Sequence, residues 1–181
     1  MVNRTTLVYT LMAAAALLRL LPHPLNMTPI GALALFSGAH LHSRWAYVLP
    51  LVALLIGDVL LGWFDLTVIL GVYIGFLLTT LVGRLCLRQQ QSSLRYVVAV
   101  VAGALVFYLI SNIGMWYSYW PRTLDGLVAC YIEGLPFLAR TLIGDGIYTA
   151  LMFGGYEWLV KKQSVTQGNS LKNADLKKAN G

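Results

Sequence analysis

Arg19, Asp58 and Asp145 stand inside runs of this sequence that are otherwise apolar. A charge in such a setting is costly, so it is paired, lines a water-filled cavity or serves a function. Asp58 and Asp145 close the same tetrapeptide, Leu-Ile-Gly-Asp, at 55–58 and 142–145. Each falls about one turn from the outer end of its predicted helix, Asp58 near the C-terminus of one and Asp145 near the N-terminus of another, and Arg19 ends a further helix at a similar depth. One arginine and two carboxylates at one level can make a structural ion pair, hold a solute, or act as an acid–base pair. Glu133 and Arg140 lie near that level in the last outer segment.

Neutral polar groups join them. Tyr108, Ser111, Asn112 and Met115 fall at i, i+3, i+4 and i+7, so they share one helix face. Asp145, Tyr148, Thr149 and Met152 do the same. Tyr73 belongs to the same half of its helix, and His23 and Asn26 sit among Pro22, Pro24 and Pro29. These residues can face one cavity open to the outside, with aromatic walls and charges of both signs. That suits a mid-sized polar organic molecule. The candidate ligand-binding set is Arg19, His23, Asn26, Asp58, Tyr73, Asn112, Trp116, Tyr131, Glu133, Arg140, Asp145 and Tyr148. Plainer roles compete. Arg19 with either aspartate reads equally as a structural pair, and Asn112 as a helix–helix hydrogen bond. Trp116, Tyr117, Tyr119 and Trp120 read as an interfacial belt.

No P-loop, HExxH or GxSxG signature appears, so the chain carries no ATPase of its own. Cys86 and Cys130 have no metal-ligand spacing, and His40 and His42 diverge on a helix, which suits packing. No cofactor is implied.

The elements that must position these groups follow from composition. Hydrophobic residues make up 58% of the 181 and charged residues 11%, against about 25% charged in soluble domains. That excludes disorder for the bulk and points to an all-α, polytopic membrane helix bundle. The net charge of +6 does not indicate nucleic acid, because five of the thirteen basic residues are lysines of the last 21 positions. Six spans are predicted, over 5–21, 28–41, 45–62, 66–87, 96–116 and 140–160; the second is short for a crossing. Gly71 with Gly75, and Ala34 with Gly38, mark close helix packing. With both termini cytoplasmic, ten basic residues face inward and only Arg19, Arg122 and Arg140 lie outward. Residues 1–160 form the transmembrane domain, and 161–181 a polar, lysine-rich, disordered cytoplasmic tail. The segment 115–139 is apolar and aromatic, and Pro121 and Pro136 bracket one short helix capped by Thr123 or Asp125. It should pack on the bundle or lie in the interface, with Leu127, Val128 and Phe137 shielded.

Four stretches carry a resemblance: Pro22-His-Pro-Leu-Asn-Met-Thr-Pro-Ile-Gly-Ala-Leu-Ala-Leu-Phe-Ser-Gly-Ala39, Ser111-Asn-Ile-Gly-Met-Trp116, Tyr119-Trp-Pro-Arg-Thr-Leu-Asp-Gly-Leu-Val-Ala-Cys-Tyr131 and Gly134-Leu-Pro-Phe137. Through them the chain resembles a bacterial family of small integral-membrane proteins with no assigned function. More loosely, its plan is similar to the substrate-binding S components of energy-coupling-factor (ECF) vitamin transporters. Those are six-helix proteins with the ligand near the outer face. The resemblance implies vitamin uptake at the inner membrane, with an ECF-type transmembrane coupling subunit and ATPases as partners. Such proteins dock through Ala-x-x-x-Ala on the first helix. Here Ala13–Ala16 are followed at i+4 by Leu17, Leu18, Arg19 and Leu20, so the alanine patch is present without the pattern.

The expected function is therefore a solute-binding or uptake protein. A membrane-embedded enzyme using Asp58 and Asp145, and a non-catalytic accessory membrane protein, are the rivals. A large pocket favours the first and a solid bundle the last.

Overall fold

The computed structural model describes residues 3–19, 27–62, 65–89 and 91–179, with side chains up to 165 apart from position 61. Within these residues the chain is all-helical: α1 (Arg4–Leu18), α2 (Ile30–His40), α3 (Trp45–Leu61), α4 (Leu66–Leu87), α5 (Ser93–Tyr119) and α6 (Leu124–Ala179). Local chemistry sets several helix starts. Asn3, Asp65 and Ser92 each accept a backbone N–H of the first turn, from Thr5 at 3.2 Å, Thr67 at 3.0 Å and Arg95 at 3.4 Å. Thr123 caps α6 by accepting the Gly126 N–H at 3.1 Å.

The helices form a ring around one short member. α1, α3, α4, α5 and α6 contact one another in that cyclic order, and α2 contacts all five. Every residue of α2 from Ile30 to Ala39 is buried. Small residues on several faces allow this. A side chain on Gly38 would collide with the Thr80 carbonyl of α4, and one on Gly83 with the Leu35 carbonyl of α2. Gly71 and Gly75 bring α4 onto α5 in the same way, beside the Ile110 carbonyl and the Phe107 ring. Both small-residue pairs therefore pack helices, as expected.

Pro50 lies inside α3 and cannot donate an N–H to the Ala46 carbonyl four residues earlier. Ser37 of α2 supplies the missing donor, its Oγ 2.8 Å from that carbonyl. One hydroxyl so repairs α3 and ties it to the central helix. At the opposite end of α2 from its start, Phe36 packs on His40, Phe153 and Tyr156 with centroids 4.2, 5.0 and 5.8 Å apart. His40 is thus a packing histidine.

Three helices are long and apolar enough to cross a membrane: α4, α5 and the Leu124–Val165 part of α6. α1, α2 and α3 are apolar but shorter. At 1.5 Å per residue α2 reaches only about 16 Å, half of a hydrocarbon core of about 30 Å. Outward faces are apolar, with Leu70, Ile74, Leu81 and Leu85 on α4 and Leu94, Val101, Leu105 and Leu109 on α5 all exposed. Ser37, Asp58, Thr79, Thr80, Asp145 and Thr149 lie inside.

The last third of the chain differs from expectation. The short helix bracketed by prolines and the span over 140–160 are one element, α6, with Pro136 inside it. A helix tolerates a proline where neighbouring helices hold both flanks, and here α1, α2 and α5 all contact α6. Val128 and Phe137 are 50% and 40% exposed, so the bundle alone does not shield them. The backbone also stays helical through the polar tail to Ala179. Lysine is the commonest residue there and no proline interrupts it, so an established helix can propagate.

Candidate functional site

α2 fills only one half of the ring. Beyond its N-terminus the remaining space is a cavity of about 520 Å³. Its walls come from the ends of α1 and α3, the first half of α4, the second half of α5 and the 130–145 part of α6. Thr28 and Gly31 belong to the floor.

The expected ion pair is present. Arg19, at the C-cap of α1, places Nη2 2.8 Å from Asp58 Oδ1, with both side chains 12% exposed. The Tyr73 hydroxyl of α4 donates to Asp58 Oδ2 at 3.1 Å. Asp58 is therefore held by two donors from two other helices. Gly57 makes this possible, since a side chain there would overlap the Arg19 guanidinium. Asp145 is 4% exposed and accepts the backbone N–H of Ala32 in the first turn of α2. Pro29 at the N-cap of α2 provides no side-chain cap, so the carboxylate of α6 takes that place.

Arg19, Asp58, Asn112, Glu133 and Asp145 of the candidate set line the cavity together. So does the whole α5 row, Tyr108, Ser111, Asn112 and Met115. Tyr73 stands behind Asp58 and holds it. Asn112 donates Nδ2 to the Tyr108 carbonyl at 2.8 Å, while the Cys130 thiol lies 3.8 Å from its Oδ1. Besides Tyr73, four candidates lie outside the walls. Trp116 donates Nε1 to the Pro121 carbonyl at 3.0 Å and fixes the α5–α6 turn. Tyr131 donates to the Leu109 carbonyl at 2.5 Å, and its own carbonyl accepts the Tyr108 hydroxyl. Arg140 sits 5.7 Å over the Phe137 ring. Tyr148 packs against the hydrophobic core. His23 and Asn26 lie outside the described residues.

Sequence reasoning did not single out Gly31, Phe76 and Phe107, and it named Phe137 only as a shielded residue; all four form wall or floor. Phe107 was within reach of it. It precedes Ser111 by four, so the α5 row extended one turn back would include it. On α4, Ile69, Val72 and Phe76 form a matching row at i, i+3 and i+7.

The arrangement offers a largely apolar, aromatic chamber with charged groups in its wall and floor. Both buried carboxylates already have partners, which suits binding better than proton exchange between them. Residues 1–169 match the family described as a family of unknown function (DUF6580), and the chain belongs to that family. No curated protein and no solved structure matches it.

Proposed function

We propose that this protein is a multi-pass membrane protein that binds a small solute in the cavity above α2. The observation that carries this reading is the cavity itself. Its volume lies in the range of about 300–1,000 Å³ usual for small-molecule sites, whereas a bundle serving only structure has no need of it. Apolar exposed faces around polar inner ones support a lipid setting. The excess of basic residues on one side supports cytoplasmic termini, a cavity on the outer side and residence in a bacterial inner membrane. The plan is S-component-like. A coupling subunit with ATPases would energise uptake of the solute, a vitamin or a molecule of similar size. Ala13 and Ala14 are exposed on α1 and would be free to meet such a subunit.

Native mass spectrometry of the protein purified from its own membrane tests the reading. The expected result is a bound small molecule that is neither lipid nor detergent. Ser111→Phe, which fills the cavity from α5, should remove it. A protein that carries lipid and detergent alone, unchanged by Ser111→Phe, would overturn the proposal.

A further inference from the structure

We propose that the solute is an organic cation, with a protonated amine or quaternary ammonium group on an apolar body of ring size. This rests on the solute-binding reading and adds the chemical class to it.

Among the described residues the cavity wall carries one cationic side chain and three carboxylates: Arg19 against Asp58, Glu133 and Asp145. Two of the carboxylates are answered from within the protein. Asp58 has Arg19 at 2.8 Å and Tyr73 at 3.1 Å. Asp145 has the Ala32 N–H and the positive end of α2. Glu133 is different. It is exposed, and among the described residues no lysine, arginine or histidine lies within ion-pair distance of it. Arg140, seven residues along the same helix, is placed over the Phe137 ring. Among the described residues the chamber therefore presents one uncompensated negative charge.

An anionic solute would meet Glu133 and Asp145. To find a cation it would have to draw Arg19 away and leave Asp58 buried without its partner. An ammonium group meets the opposite situation. Glu133, exposed on the wall, attracts it by opposite charge. Phe76, Phe107, Trp120 and Phe137 bring aromatic rings to the same space, and ring faces attract cations. The same rings accept the apolar remainder of the molecule.

The test uses the full chain in nanodiscs of phosphatidylglycerol, which has no ammonium headgroup. Three probes of one shape are titrated by calorimetry: 3-phenylpropylammonium, 4-phenylbutanoate and the neutral 3-phenylpropan-1-ol. The expected order is the ammonium first by at least about tenfold, the equivalent of about 1.4 kcal/mol. Glu133→Gln should erase that preference and Glu133→Asp should keep part of it. Added phosphatidylethanolamine should leave the ammonium affinity unchanged. Competition by that lipid would overturn the free-solute assignment. Preference for the anionic or neutral probe, or an ammonium preference untouched by Glu133→Gln, would overturn the class while solute binding stands. Absence of binding by all three probes, with no co-purified molecule in native mass spectrometry, would remove the solute-binding reading and the class together.

Discussion

The carboxylate of Asp145 on α6 occupies the space that a side chain at Gly31 of α2 would fill. Glycine at 31 is thus a condition for the acid to reach the N-terminus of the central helix. Gly31→Ala should expel the carboxylate and destabilise the protein by about 1–3 kcal/mol. Asp145→Asn keeps shape and acceptor and should cost less. Thermal unfolding in detergent compares the two, and a Gly31→Ala protein as stable as wild type would refute the role given to this contact.

Arg19→Ala should destabilise by about 3–5 kcal/mol, the usual consequence of leaving a buried charge unpaired. Asp58→Asn separates structure from binding. In a purely structural pair it lowers the melting temperature and leaves any ligand bound. In a solute site it abolishes binding while the fold survives. Melting curves and native mass spectra of the same samples decide.

Ser37→Ala leaves the Ala46 carbonyl without a donor, at a cost of about 1–3 kcal/mol. Pro50→Ala restores a backbone N–H at the position from which that carbonyl is ordinarily served. The double variant Ser37→Ala/Pro50→Ala should therefore be more stable than Ser37→Ala alone. Simple additivity in a double-mutant cycle would show that the hydroxyl does not repair the helix.

Asp65 lies outside the helices, at the start of α4. The Thr67 N–H, the Thr67 hydroxyl and the Ser118 hydroxyl hold its carboxyl below the ordinary carboxylate value. Its contribution is therefore present above the unfolded value of about 3.9 and is lost as pH falls through the lower folded value. Asp65→Asn should flatten that acid limb of the melting temperature against pH. Superimposable profiles for wild type and variant would exclude the contribution.

A reporter fused after Lys162 should be active as a cytoplasmic marker and silent as a periplasmic one. Activity of a periplasmic-only reporter there would refute the six-span topology with cytoplasmic termini.

The reach of sequence reasoning is clear in particular residues. α3 and α4 begin and end within a residue of expectation, because Trp45–Leu61 and Leu66–Leu87 are predominantly apolar runs with Gly62 and Asp65 between them. The α5 row and the Arg19–Asp58 pair were legible from periodicity and depth. Pro136 misled, since a proline ends a helix only where nothing else holds its flanks, and that depends on neighbours distant in sequence. Tyr131, Arg140 and Tyr148 were assigned by level along the bundle, which says nothing of the direction in which a side chain leaves its helix. The central place of α2 had a signal that went unused. Gly31, Ala32, Ala34, Ser37, Gly38 and Ala39 put small residues on several of its sides, as only a helix surrounded by others requires.

The half-length central helix also divides the chamber into parts that can change and a part that cannot. At Gly31 its floor is peptide backbone, which no wall substitution alters. A chain that keeps Gly31 and Asp145 can exchange Phe107, Ser111 or Glu133 on the walls and still hold the same floor. The chemistry of the walls can then change one residue at a time, with the architecture that makes the chamber untouched.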